Sequence, residues 1–385
     1  MREIVEAVRT QGDRALLEFV ARFDTGGADP PPLRVGAEAI AAARLDPAVR
    51  AGLDVATTNV ALVADAGLRG DTEVALPQGH RIVVREVPVR RAAVYVPAGR
   101  APYPSTLVMG VITARIAGVE EVCVLTPPPV HPVILGACAH LGVHEVYAMG
   151  GAHAVAAVAY GTESVERVDV VVGPGNVWTQ EAKRAVSGAV GIDGFYGPSD
   201  VCVLASAGAD PELVALDLLA QAEHGTGSVV VAVSDDPGLL DAVAARAGRE
   251  EGLEPAALVV TRAASPEEGL AFAEAFAPEH LELVGAEAER LARRVRCAGC
   301  VYVGAAAATA FGDYVAGSNH CLPTEGSARF ASGLGPRHFR RRVSEVRVDG
   351  AARALAAAGA PVARAEGFVL HAASMEARVR EERVR

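Results

Sequence analysis

The sequence predicts an α/β protein with two Rossmann-like modules, each a doubly wound parallel sheet, together with a helical N-terminal segment and a short C-terminal arm. Three observations support this class. Strand-like and helix-like runs alternate over most of the chain, with glycine and proline at the turns between them. The same alternation starts twice, near residues 92 and 201. Hydrophobic residues make up 51% of the 385 residues but aromatic ones only 4%, which indicates cores rich in Ala, Val and Leu.

The elements follow one another in a regular order. Residues 1–91 look helical and then extended. The first run has predicted strands at 93–96, 122–125, 145–148 and 168–172, with helices at 105–116 and after Pro132 and Gly151. The second run repeats the rhythm, as an internal duplication would produce. Its predicted strands are 201–205, 228–233, 257–261, 281–284 and 300–303, with helices ending at His224, following Pro237 and Pro266, and near Arg290. Further helices are predicted near 350–358 and 373–382.

Three functional regions are expected. Residues 1–97 with 199–326 are predicted to form the module that carries the metal and substrate residues, and residues 98–198 the module that binds a nucleotide cofactor. Residues 327–385 are predicted to form an arm that is too short to build a sizeable core alone. Ligands of doubly wound sheets bind at the carboxyl ends of the strands, so we expect the unusual polar residues at those ends.

Composition excludes several classes of protein. A formal net charge of -11 argues against nucleic acid as a partner, because binding phosphates requires a basic face. The six cysteines are scattered, which does not fit a secreted disulfide scaffold. Cys297 and Cys300 form a lone Cys-x-x-Cys, for which we expect a structural role. No signal peptide or membrane span is visible, and a cytoplasmic location is therefore expected.

Two glycine turns are candidates for a nucleotide site. Gly173-Pro-Gly-Asn176 and Gly150-Gly151-Ala-His153 each follow a predicted strand and begin a helix. Such a turn lets the backbone approach a phosphate, and the helix N-terminus favours its negative charge. The alternative is a tight turn with Asn176 as a helix cap.

A metal site is predicted in the second run. Gln221 and His224 are three residues apart and share one face if their segment is helical. Asp313 and His371 could complete a shell of four protein ligands, and zinc takes such nitrogen and oxygen donors. The alternative for each histidine is structural, since a histidine at a helix end often caps carbonyl groups.

Glu279 and His280 offer two adjacent bases beside that metal. Adjacent residues of a strand point to opposite faces, so the pair could flank one substrate only from a turn. Four other histidines lack a comparable context and are predicted to be surface or core residues: His131, His140, His144 and His338.

Seven segments in fixed order carry a family resemblance. They are Tyr95-Val-Pro-Ala-Gly-Arg-Ala-Pro-Tyr-Pro-Ser105, Gly150-Gly-Ala-His153, Val172-Gly-Pro-Gly-Asn176 with Glu181-Ala-Lys-Arg184, Gly197-Pro-Ser199-Asp200, Gln221-Ala-Glu-His224-Gly, Pro278-Glu279-His280-Leu, and Gly312-Asp313-Tyr with Asn319-His320-Cys-Leu-Pro-Thr324. Through them the chain resembles the histidinol dehydrogenase family from about residue 3 to residue 375.

The resemblance implies an enzyme with one Zn²⁺ per subunit that uses NAD to oxidise L-histidinol to L-histidine, the last step of histidine biosynthesis. Two successive hydride transfers would pass through bound L-histidinal. The family's homodimers are intertwined, so the arm would serve the partner's site. The implied zinc ligands are Gln221, His224, Asp313 and His371, and the implied bases are Glu279 and His280. The substrate would contact Ser199, Gln221, His224, His280, Asp313, His320, Glu366 and His371, and the cofactor Tyr95, His153 and Asn176.

Departures from the family pattern, two of them at site residues or beside them, and two rival functions accompany the resemblance. His153 stands where the family usually has Gln, and Asp200 where it usually has Glu. One rival is a related dehydrogenase of another small alcohol, such as a sulfonated diol. Glu366 argues against it, since an anionic substrate should recruit Arg or Lys there. The other rival is a zinc hydrolase, against which the two glycine turns argue.

Overall fold

The computed structural model describes residues 1–98, 101–250 and 256–381, with side chains as far as residue 379. Gly99 and Arg100 of the first family segment, and residue 382 of the last predicted helix, lie outside the described residues. The chain divides into two compact units. The larger contains Met1–Gly67 and Val89–Phe339, and the smaller contains Leu68–Pro88 and Arg340–Arg385.

The N-terminal segment is helical, as predicted, and then extended. Its helices are α1 (Arg2–Gln11), α2 (Asp13–Phe19), α3 (Ala37–Ala42) and α4 (Pro47–Ala66), and the strands β1 (Thr72–Ala75) and β2 (Arg81–Pro88) follow. Helix α1 is amphipathic, and Val5 and Val8 on its apolar face are buried in the same core as Leu125 and Val155. This contact anchors the N-terminal helix on the first large sheet.

The first large sheet is wholly parallel. Its strands are β3 (Arg91–Tyr95), β4 (Glu121–Thr126), β5 (Val146–Ala148), β6 (Val170–Val172) and β7 (Gly191–Ile192), and its helices are α5 (Pro104–Ile116), α6 (Pro132–His140), α7 (Gly151–Tyr160) and α8 (Val177–Val186). The strand order is β5-β4-β3-β6-β7. Val94 faces one apolar core and its neighbours Ala93 and Tyr95 face another, so helices cover both faces of the sheet.

The second large sheet repeats the arrangement. Its strands are β8 (Asp200–Ala205), β9 (Val229–Ser234), β10 (Ala257–Arg262), β11 (His280–Val284) and β12 (Cys300–Val303), and its helices are α9 (Pro211–Ala222), α10 (Pro237–Ala247), α11 (Pro266–Phe276), α12 (Ala286–Glu289) and α13 (Thr309–Tyr314). The order β10-β9-β8-β11-β12 matches that of the first sheet position by position. The prediction of two similar doubly wound modules is therefore confirmed.

The smaller unit combines distant parts of the sequence. The strand β13 (Arg340–Arg347) pairs with β2 in antiparallel fashion, and β2 pairs with β1. The helices α14 (Ala352–Ala365) and α15 (Val369–Glu381) then pack on each other. Their apolar contact is small and consists mainly of alanines: Ala360, Ala363 and Ala372, with Met375 at its edge.

The compact units differ from the division that we predicted. Strand β3 pairs with β4 and β6, so residues 91–95 belong to the sheet of the 98–198 region rather than to that of residues 199–326. Residues 72–88 join the C-terminal unit, which begins at Arg340 rather than at residue 327. The reason is physical, since β2 and β13 are about 250 residues apart and no local pattern reveals their pairing. The functional roles of the three regions stay predictions.

Within the described ranges, no helix has both the length and the hydropathy that crossing a bilayer requires.

Candidate active site

One cavity of about 1370 Å³ in the larger unit is lined by residues from both large sheets. It brings together the predicted site residues of that unit: Tyr95, His153, Asn176, Ser199, Gln221, His224, Glu279, His280, Asp313 and His320. Glu366 and His371 belong to the smaller unit, where both are exposed to solvent. Their part in the site stays a prediction.

The carboxyl edge of the first sheet forms one wall. Tyr95 ends β3, and its buried hydroxyl accepts a hydrogen bond of 3.0 Å from the backbone N–H of Gly151. Gly173 follows β6 with φ +114°, and a side chain there would overlap the carbonyl oxygen of Tyr95. Glycine is therefore required where this turn passes the backbone of Tyr95. The glycine turns lie where the sequence placed them, at the carboxyl ends of strands.

A buried ion pair holds the second of these turns. Lys183 and Asp193 form an ion pair with both side chains fully buried. Lys183 Nζ also donates to the carbonyl oxygen of Gly173 at 3.0 Å, and Asp193 accepts from the backbone N–H of Gly173 at 2.6 Å. The pair thus fixes both backbone polar groups of Gly173, in the turn that leads to Asn176. The pair was not predicted, although a lysine on the buried face of a helix is a visible signal in the sequence.

Asn176 acts first as a helix cap. Its Oδ1 accepts a hydrogen bond of 3.0 Å from the backbone N–H of Thr179 and begins α8. The structural alternative for this residue is thus correct, and the exposed side chain also lines the cavity.

His153 is held by an acid from the N-terminal segment. Its Nε2 lies 2.9 Å from Asp24 Oδ2, and the same oxygen accepts from the backbone N–H of Gly150 at 2.9 Å. The imidazole is almost fully buried. One wall of the predicted cofactor region is therefore a carboxylate and an imidazole in contact.

The second sheet lines the cavity with the amino ends of its strands, whereas we had expected the carboxyl ends. Ser199 immediately precedes β8, Glu279 precedes β11, and His280 is the first residue of β11. These residues lie at the amino ends of their strands, not at the carboxyl ends. We had expected these residues at the carboxyl ends, where ligands of doubly wound sheets usually bind. They lie instead in the loops that precede the strands, and these loops line the same cavity as the glycine turns of the first sheet.

Gln221 lies in the last turn of α9, which ends at Ala222, two residues before the predicted end at His224. Gln221 is 2% exposed, and its Nε2 has no hydrogen-bond partner among the described residues. His224 is exposed, with Nδ1 3.3 Å from Ser199 Oγ. Both side chains line the cavity.

Glu279 is locked in place by Asp200. The backbone N–H of Asp200 donates to Glu279 Oε2 at 3.1 Å, and that of Glu279 donates to Asp200 Oδ1 at 2.6 Å. Burial, with the neighbouring Asp200, raises the pKa of Glu279 well above its usual range, and burial raises that of Asp200 to about 6. Glu279 lies in a bend, so it and His280 line the same cavity. This agrees with the expectation that the two adjacent side chains could flank one substrate only from a turn.

His280 lies at the centre of the acidic cluster. Its Nε2 is 3.7 Å from Glu279 Oε1 and 3.8 Å from Asp313 Oδ1, while Nδ1 is 3.3 Å from the Tyr302 hydroxyl. Burial lowers the pKa of His280 to about 3, so the ring is neutral near neutral pH. Tyr302 was missed from the sequence because it appears there as an ordinary strand aromatic.

His320 is held between two helices, α5 and α13. Its Nε2 lies 3.0 Å from Thr106 Oγ1 on α5, and its Nδ1 lies 2.8 Å from the backbone oxygen of Asp313. Burial raises the pKa of the Asp313 carboxyl to about 7 and lowers that of His320 to about 4. The contact with Thr106 connects the two halves of the cavity wall, and no sequence signal pointed to it.

The residues present fit a zinc ion. Gln221, His224 and Asp313 line the same cavity and offer oxygen and nitrogen donors of the kinds that zinc takes. No three His, Cys, Asp or Glu side chains of the described chain form a metal-binding group. That finding follows from the ligand types, since one predicted ligand is a glutamine and His371 is in the smaller unit.

Cys297 and Cys300 are half-buried free thiols, and no metal-binding group includes them within the described ranges.

Known proteins resemble this chain over almost its whole length. The model of the family described as histidinol dehydrogenase matches residues 1–379. The histidinol dehydrogenase of Thermobifida fusca is 41% identical over 402 residues, which cover 99% of this chain and 91% of the relative. That of Thermus thermophilus is 42% identical over 391 residues, which cover 98% and 93%. A crystal structure of histidinol dehydrogenase from Elizabethkingia anophelis has a TM-score of 0.91 and 29% identity, covering 99% of this chain and 92% of that one. The chain therefore belongs to the histidinol dehydrogenase family and is an enzyme.

Proposed function

We propose that this enzyme oxidises L-histidinol to L-histidine through bound L-histidinal, with NAD as hydride acceptor and one zinc ion per subunit. One observation carries the proposal. A single cavity joins two glycine turns at the carboxyl edge of one sheet to a cluster of histidines and carboxyls at the amino edge of the other. The first wall suits a dinucleotide and the second suits proton transfer beside a metal.

Gln221, His224 and Asp313 would hold zinc together with His371. When bound, zinc supplies a site for the imidazole and amine of the substrate and stabilises nearby anions. The protein's own part is to orient the alcohol carbon toward the glycine turns. Ser199, 3.3 Å from His224, and His320 would complete the substrate's surroundings, with Glu366 on its imidazole.

His280 is suited to the first oxidation. Its burial keeps the ring neutral, so Nε2 can accept the proton of the alcohol as hydride leaves the carbon. When bound, NAD supplies the hydride acceptor for each of the two oxidations. The oxygens of Glu279 and Asp313, at 3.7 and 3.8 Å, then stabilise the imidazolium that forms.

Glu279 is suited to the second oxidation. A water molecule must add to histidinal to give a hydrate, which loses hydride and a proton to become the acid. Asp200 holds one oxygen of Glu279 through its backbone N–H and leaves Oε1 toward His280. A carboxylate whose pKa burial raises is a stronger base than a solvated one and can take a proton from that water.

We further propose that Glu366 and His371 act in the site of a second copy of the chain, and that the homodimer is cytoplasmic. The turn between them exposes a continuous apolar group, with Phe368 at 54%, Val369 at 63% and Leu370 at 80% exposure. Exposed apolar side chains of this size favour burial against a partner.

An absorbance assay tests the proposal. Purified protein should form about two NADH per L-histidinol, because each hydride reduces one NAD. Chelation should abolish turnover and added Zn²⁺ should restore it. A sulfonated diol serves as the alternative substrate. Turnover of the diol but not of histidinol, or full activity of protein that elemental analysis shows to be metal-free, would overturn the proposal.

A further inference from the structure

Strand β11 carries a charged residue where only apolar ones are expected. Glu282 lies between Leu281 and Leu283 and is 1% exposed. Side chains alternate along a strand, and the register with β8 puts Glu282 opposite Val203, on the sheet face covered by α9. His280 shares that face. A carboxylate in such a place is costly unless it is well paired, and the reaction described above does not use it.

One oxygen of Glu282 fixes the start of α13. Its Oε1 accepts hydrogen bonds from the backbone N–H of Thr309, at 2.8 Å, and from the Thr309 hydroxyl. Thr309 begins α13, and Asp313 lies one turn later on the same helix face. Glu282 therefore links the strand that begins with His280 to the helix that carries Asp313.

A second acid interacts with Glu282. Glu282 Oε2 is buried and has no hydrogen-bond partner among the described residues. Asp217 on α9 is a side-chain hydrogen-bond partner of the Glu282 carboxyl, and a bond between two acids needs one proton on either of them. Asp217 is half-buried and one helical turn before Gln221, on the same face of α9.

We propose that Asp217 and Glu282 share one proton and are positioning residues that hold α9, β11 and α13 in the arrangement that zinc and substrate require. This inference rests on the proposed function. The pair joins the elements that carry Gln221, His280 and Asp313, and neither carboxyl touches the cavity itself. Burial raises the pKa of both groups, that of Glu282 to about 8, in agreement with a retained proton. Partners outside the ligand shell tune metal affinity in this way.

The test uses the full chain stripped of zinc and titrated with Zn²⁺ against a coloured competing chelator. Glu282→Leu removes both links and should weaken zinc binding by about 10- to 100-fold. Glu282→Gln should stay within about threefold of wild type, because its carbonyl accepts from Thr309 and its amide donates to Asp217. Leu283→Ala is the matched control, since that buried neighbour faces the opposite core and its loss destabilises β11 without touching the pair.

Kinetics give a second readout. In Glu282→Leu, kcat/KM for histidinol should fall about as far as zinc affinity does, with KM for NAD unchanged, since the glycine turns lie on the other sheet. If Glu282→Leu does not fold, the same comparison is made at Asp217. Asp217→Ala, which removes the carboxyl, should weaken zinc binding, and Asp217→Asn, which keeps a hydrogen-bonding side chain, should not. The inference is wrong if Glu282→Leu or Asp217→Ala binds zinc as well as Leu283→Ala does, or if Glu282→Gln fails like Glu282→Leu. Absence of histidinol turnover in the wild type would instead contradict the proposed function, and the zinc titration would still decide the role of the pair.

Discussion

The two large sheets have the same strand order but use opposite edges for the site. In the first sheet Tyr95 ends a strand and Gly151 and Gly173 follow strands, at the carboxyl edge. In the second sheet Ser199 precedes a strand and His280 begins one, at the amino edge. Equal topology therefore does not imply equal function.

The chemistry of the two edges explains the difference. Glycine turns followed by helix N-termini present backbone N–H groups, which suit the phosphates of a cofactor. The amino edge of the second sheet instead presents side chains, with a neutral imidazole and carboxyls whose pKa values burial raises. Such groups move protons. The proposed reaction needs one edge of each kind.

The two edges are also held together differently. The edge proposed to bind the cofactor, here called the cofactor edge, depends on a fully buried ion pair, Lys183 with Asp193. The edge proposed to bind the substrate depends on reciprocal bonds between backbone and carboxyl, as in Asp200 with Glu279. Variants on each side should therefore change different kinetic constants, and the following predictions test that separation from the largest effect to the smallest.

The largest effect is expected at the amino edge of the second sheet. His280→Asn and Glu279→Gln should each lower kcat by about 10²- to 10⁴-fold, because each removes a group that transfers a proton. Single-turnover measurements separate the two oxidations. Glu279→Gln should slow oxidation of supplied L-histidinal more than oxidation of histidinol, and His280→Asn the reverse. Equal slowing of both steps in both variants would contradict this division of roles.

The second prediction concerns the smaller unit. His224→Ala and His371→Ala should each be inactive, but unfolding and refolding them together should restore about a quarter of the wild-type sites. In a mixed dimer both defects fall in one site and leave the other intact. Activity is measured against each variant refolded alone as a control. If His371 served its own chain, every site would carry a defect and no activity should return.

The third prediction concerns the cofactor edge. Lys183→Met removes the cation that holds Gly173 and leaves Asp193 buried and unpaired. We expect an unfolding free energy lower by about 3–5 kcal/mol and a KM for NAD higher by about tenfold, since the turn is no longer fixed. KM for histidinol should hardly change. Lys183→Met with Asp193→Asn is the control, which should regain stability but not NAD binding. A rise in the KM for histidinol alone would refute the separation of the two edges.

The smallest effect is a pH dependence of stability. Burial, with Asp217, raises the pKa of Glu282 from 4.5 to about 8. Because the folded-state pKa is raised, this stabilising contribution is complete below 4.5 and is lost as the pH rises through about 8. Glu282→Gln should therefore flatten the decline in unfolding free energy across that interval, by on the order of 1–3 kcal/mol in total.

Urea unfolding at several pH values measures this decline. Glu267→Gln on α11 is a suitable control, because that carboxylate is exposed to solvent and its loss leaves no buried group without a partner. An unchanged slope in Glu282→Gln would show that Glu282 does not retain its proton.

The sequence alone determined the α/β class, the two repeated modules and the motifs that the family shares. These depend on short-range features, namely the spacing of apolar residues, the glycines at turns and the order of polar motifs along the chain. It also pointed to Gln221, His224 and Glu279, because polar residues beside apolar runs are visible without knowledge of contacts.

Only the tertiary structure decided which edge of each sheet meets the cavity and which residues support the site. The pairing of β2 with β13, the contact of Thr106 with His320, and the link from Glu282 to Thr309 join residues 27 to about 250 positions apart. Such contacts depend on how separate elements pack, which a local pattern does not contain. The charge of Glu282 within an apolar strand was visible in the sequence, but its partners became known only when α9 and α13 were seen to pack around it.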